Sequence, residues 1–187
     1  GGNQSIMDLA FYGYVLSYIA SINIFIEPIP DIEARMRSLD ANFNRVFWTG
    51  TEYRSPDYKD QTDDRAQALA VLAGFAKPDQ YEAIREVLRT QEHASPYLEK
   101  YVGEALYQMG FAEDALERTR KRFQEMTDHH YTTLWEIWNR GTINHAWSGG
   151  ALTLLAQYGA GVSPTSPGYT DYQILPQMGS LQEIKTT

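Results

Sequence analysis

One short segment of the chain concentrates the side chains that could do chemistry. It runs from Tyr131 to Trp147 and places one carboxylate, Glu136, among tryptophans and shortly before His145. Apolar neighbours desolvate a carboxylate and raise its pKa unless hydrogen-bond donors keep it ionised, and general bases are tuned in this way. The segment therefore predicts that Glu136 is a general base.

The residues of this segment also allow simpler interpretations. Glu136 could pair with Arg140 one helical turn later on an exposed face, and pairs of this spacing are often merely solvated. His145 could bind a substrate hydroxyl, although a lone histidine is more often a hydrogen-bonded structural residue. From the residues alone, both alternatives stay open.

Metal and nucleotide chemistry find no support in the sequence. The adjacent His129 and His130 point to different sides, and no HExxH motif or set of nearby carboxylates completes a metal site. The chain has no Walker loop, no GxGxxG motif after a strand and no GxSxG elbow. Because cysteine is also absent, thiolate nucleophiles and disulfides are excluded. We expect no metal and no other cofactor.

The composition is that of a folded, acidic protein. Of 187 residues, 43% are hydrophobic and 21% are charged, which is enough to bury a core. The formal net charge of −8 disfavours contact with phosphate backbones, so a nucleic-acid partner is excluded. The apolar stretch 9–26 contains Ser17, Ser21 and Asn23 and lacks a basic flank. It predicts a buried helix, with no insertion into a membrane.

Helical periodicity predicts a series of helices along the chain. The first helix has an apolar stripe at roughly helical spacing (Ile6, Leu9, Tyr14, Tyr18, Ile22 and Phe25). Asp31, Asp63 and Ser95 then precede further helical segments at equal intervals, as N-caps would. Gly110 is a predicted C-cap. Regular spacing of this kind predicts helical hairpins in series, as in a helical array or an α/α toroid.

The end of the chain has a different pattern. A stretch rich in glycine and proline, 159–168, is followed from Tyr169 by alternating side chains, Pro176 and a turn at Gly179, which predicts the first strands of a β-element. The fold class is therefore all-α, with helical hairpins forming part of an (α/α)6 toroid and a short β stub at the C-terminus. The predicted boundary separates residues 1–162 from residues 163–187.

Four strings of the sequence resemble, in order, motifs of bacterial α-L-rhamnosidases of glycoside hydrolase family 78. They are residues 63–74 (DDRAQALAVLAG), 95–101 (SPYLEKY), 132–136 (TTLWE) and 144–150 (NHAWSGG). The similarity extends from Gly2-Asn3-Gln4 to Ile174-Leu175-Pro176. It implies the second half of an (α/α)6 catalytic barrel followed by the start of a β-sandwich. It also implies an inverting hydrolase that removes terminal α-L-rhamnose from glycosides.

The resemblance also assigns roles to individual residues. Glu136 matches the general base of the family, and His145 matches a residue that contacts the sugar. Trp138 and Trp147 stand beside these motifs and are expected to be walls of the same pocket. The general acid of the family lies in an upstream motif rich in Asp and Arg, and nothing in residues 1–31 resembles it. The chain alone is therefore expected to be inactive.

Further expectations concern the partners of the protein. The substrate is a rhamnose-containing glycoside, and a half barrel would expose apolar helix faces that a homo-oligomer could cover. Sugar scavenging suggests a periplasmic or extracellular location for the full-length protein.

Two alternative functions remain. One is a helical-repeat module that binds a protein and has no activity, because residues 110–116 are similar to a tetratricopeptide turn, although no fixed repeat is present. The other is an unsaturated-uronide hydrolase or another six-hairpin glycosidase, since a fold alone does not fix a function. Convergence of Glu136 and His145 in a tryptophan-lined cleft would favour a glycosidase. A solvent-facing Glu136 beside Arg140 would favour the scaffold.

Overall fold

The structure is a computed structural model that describes residues 4–22, 29–139 and 141–185. Within these residues the chain forms seven α-helices and one two-stranded sheet. It divides into two compact units, Gly1–His93 and Ala94–Thr187. The predicted fold class is confirmed, because the chain is mostly helical with a short β-element near its C-terminal end.

The first unit contains four of the helices. They are α1 (Gln4–Ile22), α2 (Ile32–Phe47), α3 (Asp64–Leu72) and α4 (Tyr81–Thr90). A 3₁₀ turn, Pro78–Gln80, leads into α4, and Pro78 at its first position prevents the preceding helical segment from continuing. Helix α1 packs against α2 and α3.

The predicted caps of α2 and α3 differ in outcome. Asp63 caps α3, since its Oδ1 accepts a hydrogen bond from the backbone N of Arg65 at 2.9 Å. Asp31 precedes α2, but its backbone is left-handed, with φ of 63°, and its side chain makes no capping hydrogen bond. The prediction that Asp31 caps α2 is therefore wrong.

The predicted burial of α1 is also wrong for most of its length. Its buried residues include two small ones, Ala10 and Gly13, which allow close approach of α2 and α3. Leu9, Tyr18 and Ile22 of the predicted stripe are exposed, and Phe25 lies outside the described residues. By length and composition alone α1 could cross a membrane, a property shared with core helices of soluble proteins and with signal sequences.

An aromatic cluster forms the core of the first unit. The ring of Phe43 lies 4.6 Å from that of Phe75 and 5.3 Å from that of Tyr53, measured between centroids. Tyr53 belongs to the irregular segment between α2 and α3, whose glycine, proline and charged residues without periodicity are typical of a surface loop. Its side chain is nevertheless completely buried, so this loop contributes to the core.

The second unit contains the remaining helices and the sheet. Its helices are α5 (Glu99–Gln108), α6 (Ala112–Asp128) and α7 (Gly150–Leu154). A 3₁₀ turn, Ala146–Gly149, precedes α7, and a π turn, Leu155–Gly159, follows it. Strand β1 (Val162–Pro164) pairs antiparallel with β2 (Tyr172–Ile174), and Val162 lies opposite Ile174.

The connection between α5 and α6 is a helical hairpin that ends as predicted. Gly110 is left-handed, with φ of 89°, and the N of Phe111 reaches back to the carbonyl of Leu106 at 2.8 Å. At the start of α5, Ser95 Oγ accepts a hydrogen bond from the N of Leu98 at 3.4 Å. The helix itself begins at Glu99.

Candidate functional site

The segment between α6 and the turn that opens α7 carries the predicted general base and forms no helix. Its two limbs are joined by backbone hydrogen bonds. The N of Glu136 donates to the carbonyl of Thr142 at 2.8 Å, and the N of His145 donates to the carbonyl of Leu134 at 2.8 Å. Thr133 Oγ1 also donates to the carbonyl of Ile143. We call residues 129–145 the site loop.

The site loop brings Glu136 and His145 together through Thr142. Glu136 Oε2 accepts hydrogen bonds from Thr142 N at 3.0 Å and from Thr142 Oγ1 at 3.1 Å. The same Oγ1 lies 3.0 Å from His145 Nδ1. A hydroxyl has one proton to donate, so in this arrangement Nδ1 is the donor to Oγ1. A neutral His145 then has Nε2 as an acceptor, which suits a sugar hydroxyl.

The electrostatic state of Glu136 follows from these donors. The backbone N–H of Thr142 is the largest cause that lowers the pKa of Glu136 below its ordinary value, and the Thr142 hydroxyl lowers it further. Partial desolvation acts in the opposite direction and is outweighed. Glu136 is therefore ionised at neutral pH and can accept a proton. Hydrogen-bond donors, rather than apolar walls, set its charge.

A glycine lets the loop close on the carboxylate. Gly141 is left-handed, with φ of 80°, and a Cβ at this position would stand 2.9 Å from Glu136 Oε2. A side chain would thus add backbone strain and crowd the oxygen that Thr142 contacts. Arg140, the alternative partner of Glu136, lies outside the described residues. Glu136 itself is not on a helix.

Aromatic rings continue from His145 towards α5. The ring centroids of His145 and Trp147 lie 4.4 Å apart, those of Trp147 and Tyr97 5.3 Å, and those of Tyr97 and Tyr101 5.7 Å. Trp147 is 47% exposed and Tyr97 is 38% exposed. We call these four residues the aromatic strip. Within it the rings of His145 and Trp147 are in contact, and the role of Trp147 as a pocket wall stays a prediction.

Trp138 has a different environment. Its Nε1 donates to the carbonyl of Ala94 at 2.8 Å, and its ring lies 4.2 Å from the guanidinium carbon of Arg122 and packs edge-on against Phe123. Arg122 in turn donates to buried Glu99 at 2.9 Å. These contacts anchor one limb of the site loop to α6. The role of Trp138 as a pocket wall stays a prediction.

Trp135 anchors the same limb from inside. Its side chain is buried in a cluster with Phe123 and Met126, and its carbonyl accepts a hydrogen bond from Ser148 Oγ. Because Trp135 is fixed in this core, Glu136 directly after it has a defined position at the surface of the unit.

Sequence reasoning missed two residues of the site. Thr142 stands between Glu136 and His145 in the printed sequence, and a search for a donor to the carboxylate could have found it. Tyr97 belongs to the string at 95–101 that carries the family resemblance. Nothing in that string shows that its ring reaches Trp147, because this contact depends on how α5 packs.

The prediction that His129 and His130 point to different sides is wrong. Their rings stack with centroids 4.4 Å apart, and His129 Nδ1 accepts a hydrogen bond from the N of Tyr131 at 3.2 Å. Over residues 4–22, 29–139 and 141–185, no group of three or more His, Asp or Glu side chains could hold a metal ion.

Comparison with solved structures identifies a similar fold. A crystal structure described as the GH78 family rhamnosidase of Bacillus sp. GL1 superposes with a TM-score of 0.64 and 24% sequence identity. The chain resembles part of a GH78 rhamnosidase. The match covers 80% of this chain and 18% of that protein, so the chain spans less than a fifth of its length. No family model and no curated protein matches the sequence. At this identity the similarity shows the fold alone.

Proposed function

We propose that this chain carries the general-base part of an inverting glycoside hydrolase that removes terminal α-L-rhamnose from glycosides. One observation carries the proposal: Glu136 is ionised, is held by Thr142 and is linked through Thr142 to His145 beside exposed aromatic rings. The similar structure is itself described as a rhamnosidase. A scaffold that binds another protein has no need of such a carboxylate.

In this mechanism Glu136 takes a proton from a water molecule that attacks the anomeric carbon. The water approaches the face opposite the leaving group, so the configuration inverts. A second carboxylic acid protonates the leaving oxygen across a gap of roughly 6.5–9.5 Å from the base. His145 Nε2 accepts a hydrogen bond from a sugar hydroxyl, and Trp147 and Trp138 limit the pocket.

The second carboxylic acid is supplied from outside this chain in the proposal. Residues 1–162 form part of the catalytic barrel, and residues 163–187 begin a β-domain. Because acid assistance is worth about 10²–10⁴-fold, the chain alone turns over little or no substrate. It associates with further copies through exposed apolar helix faces such as that of α1, and the full-length protein acts in the periplasm or outside the cell.

A charged ligand tests the base without requiring turnover. The imino analogue of L-rhamnose, with protonated nitrogen in place of the ring oxygen, resembles the positive charge that develops in the transition state. We expect Glu136→Gln to weaken its binding to the chain about tenfold or more, because an ion pair with the carboxylate is lost. Affinity for neutral L-rhamnose should change by less than about twofold. Both are measured by isothermal titration calorimetry.

Glu117→Gln is the matched control, since Glu117 is an exposed carboxylate on α6. It should change neither affinity, and L-fucose should bind more weakly than L-rhamnose. Equal loss of both ligands in Glu136→Gln, or no binding of either by folded wild-type chain, contradicts the proposal. Hydrolysis of p-nitrophenyl α-L-rhamnoside by the chain, if abolished in Glu136→Gln, would support Glu136 as the general base. It would contradict the proposal that the general acid is supplied from outside the chain.

A further inference from the structure

One largely buried arginine connects the site loop to α5 and α6. Arg122 of α6 donates from Nε to Glu99 Oε1 at 2.9 Å and from Nη2 to the carbonyl of Ala94 at 2.8 Å. Its guanidinium carbon lies over the ring of Trp138, 4.2 Å from the centroid. Two of its nitrogens are thus bonded to α5 and to the segment before α5, while its guanidinium lies against a ring of the site loop.

The carbonyl of Ala94 connects the same groups a second time. Its oxygen accepts hydrogen bonds from Arg122 Nη2 and from Trp138 Nε1, both at 2.8 Å. Arg122 and Trp138 therefore contact each other directly and also share one acceptor. A guanidinium that is bonded at two nitrogens and packed on a ring has few orientations, and a lysine ammonium lacks both the fork and the plane. The arrangement thus requires arginine and restricts the Trp138 ring.

Glu99 holds this arginine in place. Its side chain is 3% exposed and also accepts two hydrogen bonds from Arg118, at 2.9 Å each. A buried carboxylate needs such donors, because removing one of them leaves a charge without compensation. Arg118 lies one helical turn before Arg122 on α6, so two arginines of one helix bind the same carboxylate of α5.

Glu136 lies between two anchored tryptophans. Trp135 directly precedes it and is buried with Phe123, and Trp138 follows two residues later and packs edge-on against the same Phe123 ring. The backbone of Glu136 is therefore held on one side by an apolar core and on the other side by Arg122.

Arg122 affects the carboxylate by fixing its position. The pKa of Glu136 is lowered first by the backbone N–H of Thr142, then by the Thr142 hydroxyl and by His145. These hydrogen bonds require the limb that carries Glu136 to lie against the limb that carries Thr142. They weaken when that limb moves, because a hydrogen bond depends steeply on distance and angle.

We infer that Arg122 is a positioning residue for the general base: it holds Trp138, and with it the limb of the site loop that presents Glu136 to Thr142. The inference rests on the proposed function and adds to it a residue that acts through Trp138. The sequence did not single out Arg122, because its contacts join α6 to two other parts of the unit.

The test replaces Arg122 by lysine, which keeps the positive charge and loses the planar group. Carbon-detected NMR follows the Glu136 carboxyl of the full 187-residue chain during a pH titration. In Arg122→Lys the pKa of Glu136 should rise towards its ordinary value of 4.5, because the bonds from Thr142 weaken. The Thr142 amide, which donates to Glu136 Oε2, should exchange its hydrogen about twofold to fivefold faster, the range set by one lost cation–π contact.

Arg118→Lys is the matched control for loss of buried charge pairing. It disturbs the same carboxylate, Glu99, and keeps Arg122 against Trp138. It should lower the midpoint of urea denaturation and leave the Glu136 titration as in the unchanged chain. A merely structural role of Arg122 would give the same result in both lysine variants.

Two further variants complete the set. Arg120→Lys, at an exposed position of α6, should change neither readout. Trp138→Phe keeps a ring beside Arg122 and loses the donor to Ala94, so it should shift the Glu136 titration in the same direction by less. This variant serves as the test if Arg122→Lys does not fold, and circular dichroism shows which variants are folded.

The outcomes distinguish this inference from the proposed function. A Glu136 titration that is unchanged in folded Arg122→Lys, or that shifts equally in Arg118→Lys, overturns the positioning role and leaves the function untouched. Calorimetry with the imino analogue of L-rhamnose addresses the function. Its affinity relative to that of L-rhamnose should fall about twofold to fivefold in Arg122→Lys. If the unchanged chain binds neither ligand while the titration shifts in Arg122→Lys, the contact between Arg122 and the site loop is supported and the rhamnosidase is wrong.

Discussion

Among the described residues, each unit contains a long irregular segment between helices, and these two segments use their side chains in opposite ways. The segment between α2 and α3 buries Tyr53 completely, whereas the site loop leaves Glu136 partly open to solvent. Both are held by hydrogen bonds between side chains and backbone. They differ in their polar side-chain groups. In the first segment these groups are buried and hydrogen-bonded inside the unit, whereas in the site loop they stay accessible to solvent.

Around Tyr53 each polar group has a partner. Gln67 accepts from the N of Tyr53 and donates to its carbonyl, both at 2.7 Å, as a neighbouring strand would. The phenol donates to Asn44 Oδ1 at 2.8 Å or to Gln80 Oε1 at 2.9 Å. Burial raises the pKa of Tyr53 well above its ordinary value, so the phenol stays neutral.

The hydrogen bonds of the site loop orient Glu136 and His145. The remaining polar atoms of these two side chains stay accessible. Its buried anchor is Trp135, next to the carboxylate. An irregular segment can therefore contribute to stability or to chemistry. In both cases its backbone is hydrogen-bonded, and the difference is whether its polar side-chain groups are buried with partners or left accessible. This contrast leads to the following predictions.

The largest effect on stability is expected at Tyr53. Tyr53→Ala empties a fully buried site and leaves Gln80 and Asn44 without the phenol, so it should reduce the free energy of unfolding by about 3–5 kcal/mol. Trp147→Ala removes a larger but half-exposed ring in the second unit and should reduce it by about 1 kcal/mol. Urea denaturation followed by circular dichroism measures both. Equal losses would show that the two segments do not differ in this way.

A smaller effect on stability is expected at Gln67, whose side chain hydrogen-bonds to the backbone of the same segment at Tyr53. Gln67→Ala leaves the N and the carbonyl of Tyr53 buried without their partner, at a cost of about 1–3 kcal/mol. Gln124→Ala, on the exposed face of α6, should change the free energy of unfolding by less than about 0.5 kcal/mol. Hydrogen exchange of the Tyr53 amide should rise selectively in Gln67→Ala. An unchanged exchange rate would contradict the role of Gln67.

The sequence predicted the helices better than the irregular segments, and for a physical reason. Caps and breakers act within a few residues, so Asp63 and Gly110 could be assigned from their neighbours. The burial of α1 depends on which other helices contact it, and no local pattern reports this. The predicted apolar stripe is therefore right only in part: Ile6 and Tyr14 are buried, whereas Leu9 is exposed.

For the candidate site, the sequence supplied the residue types and the structure supplied their connections. Glu136, His145 and Trp147 could be proposed as candidates because they lie in one short segment with unusual composition. Thr142 was missed, since a threonine in a loop has many possible roles until its hydroxyl is placed. Tyr97 was missed because its contact with Trp147 spans two elements, and only their packing brings the rings together.

The smallest predicted effect concerns the link between Glu136 and His145. Thr142→Val keeps the backbone N–H, which is the main cause of the lowered pKa of Glu136, and removes the hydroxyl. The pKa of Glu136 should therefore rise towards, but not reach, its ordinary value of 4.5. Carbon-detected NMR of the carboxyl group during a pH titration measures the change.

The sign of the accompanying pH effect follows from linkage. A carboxyl whose pKa is lowered on folding stabilises the native state above its unfolded pKa, and this contribution is lost as the pH falls through the folded pKa. In Thr142→Val the folded pKa of Glu136 lies closer to the unfolded one. The carboxyl therefore contributes less to the stability of the native state, and less stability is lost when the pH falls. Thr119→Val, whose hydroxyl bonds to the carbonyl of Ala115 on α6, should leave the Glu136 titration unchanged. If Thr142→Val also leaves it unchanged, the hydroxyl donates to His145 instead, Nδ1 becomes the acceptor, and the Nε2 proton of a neutral His145 would face the sugar as a donor.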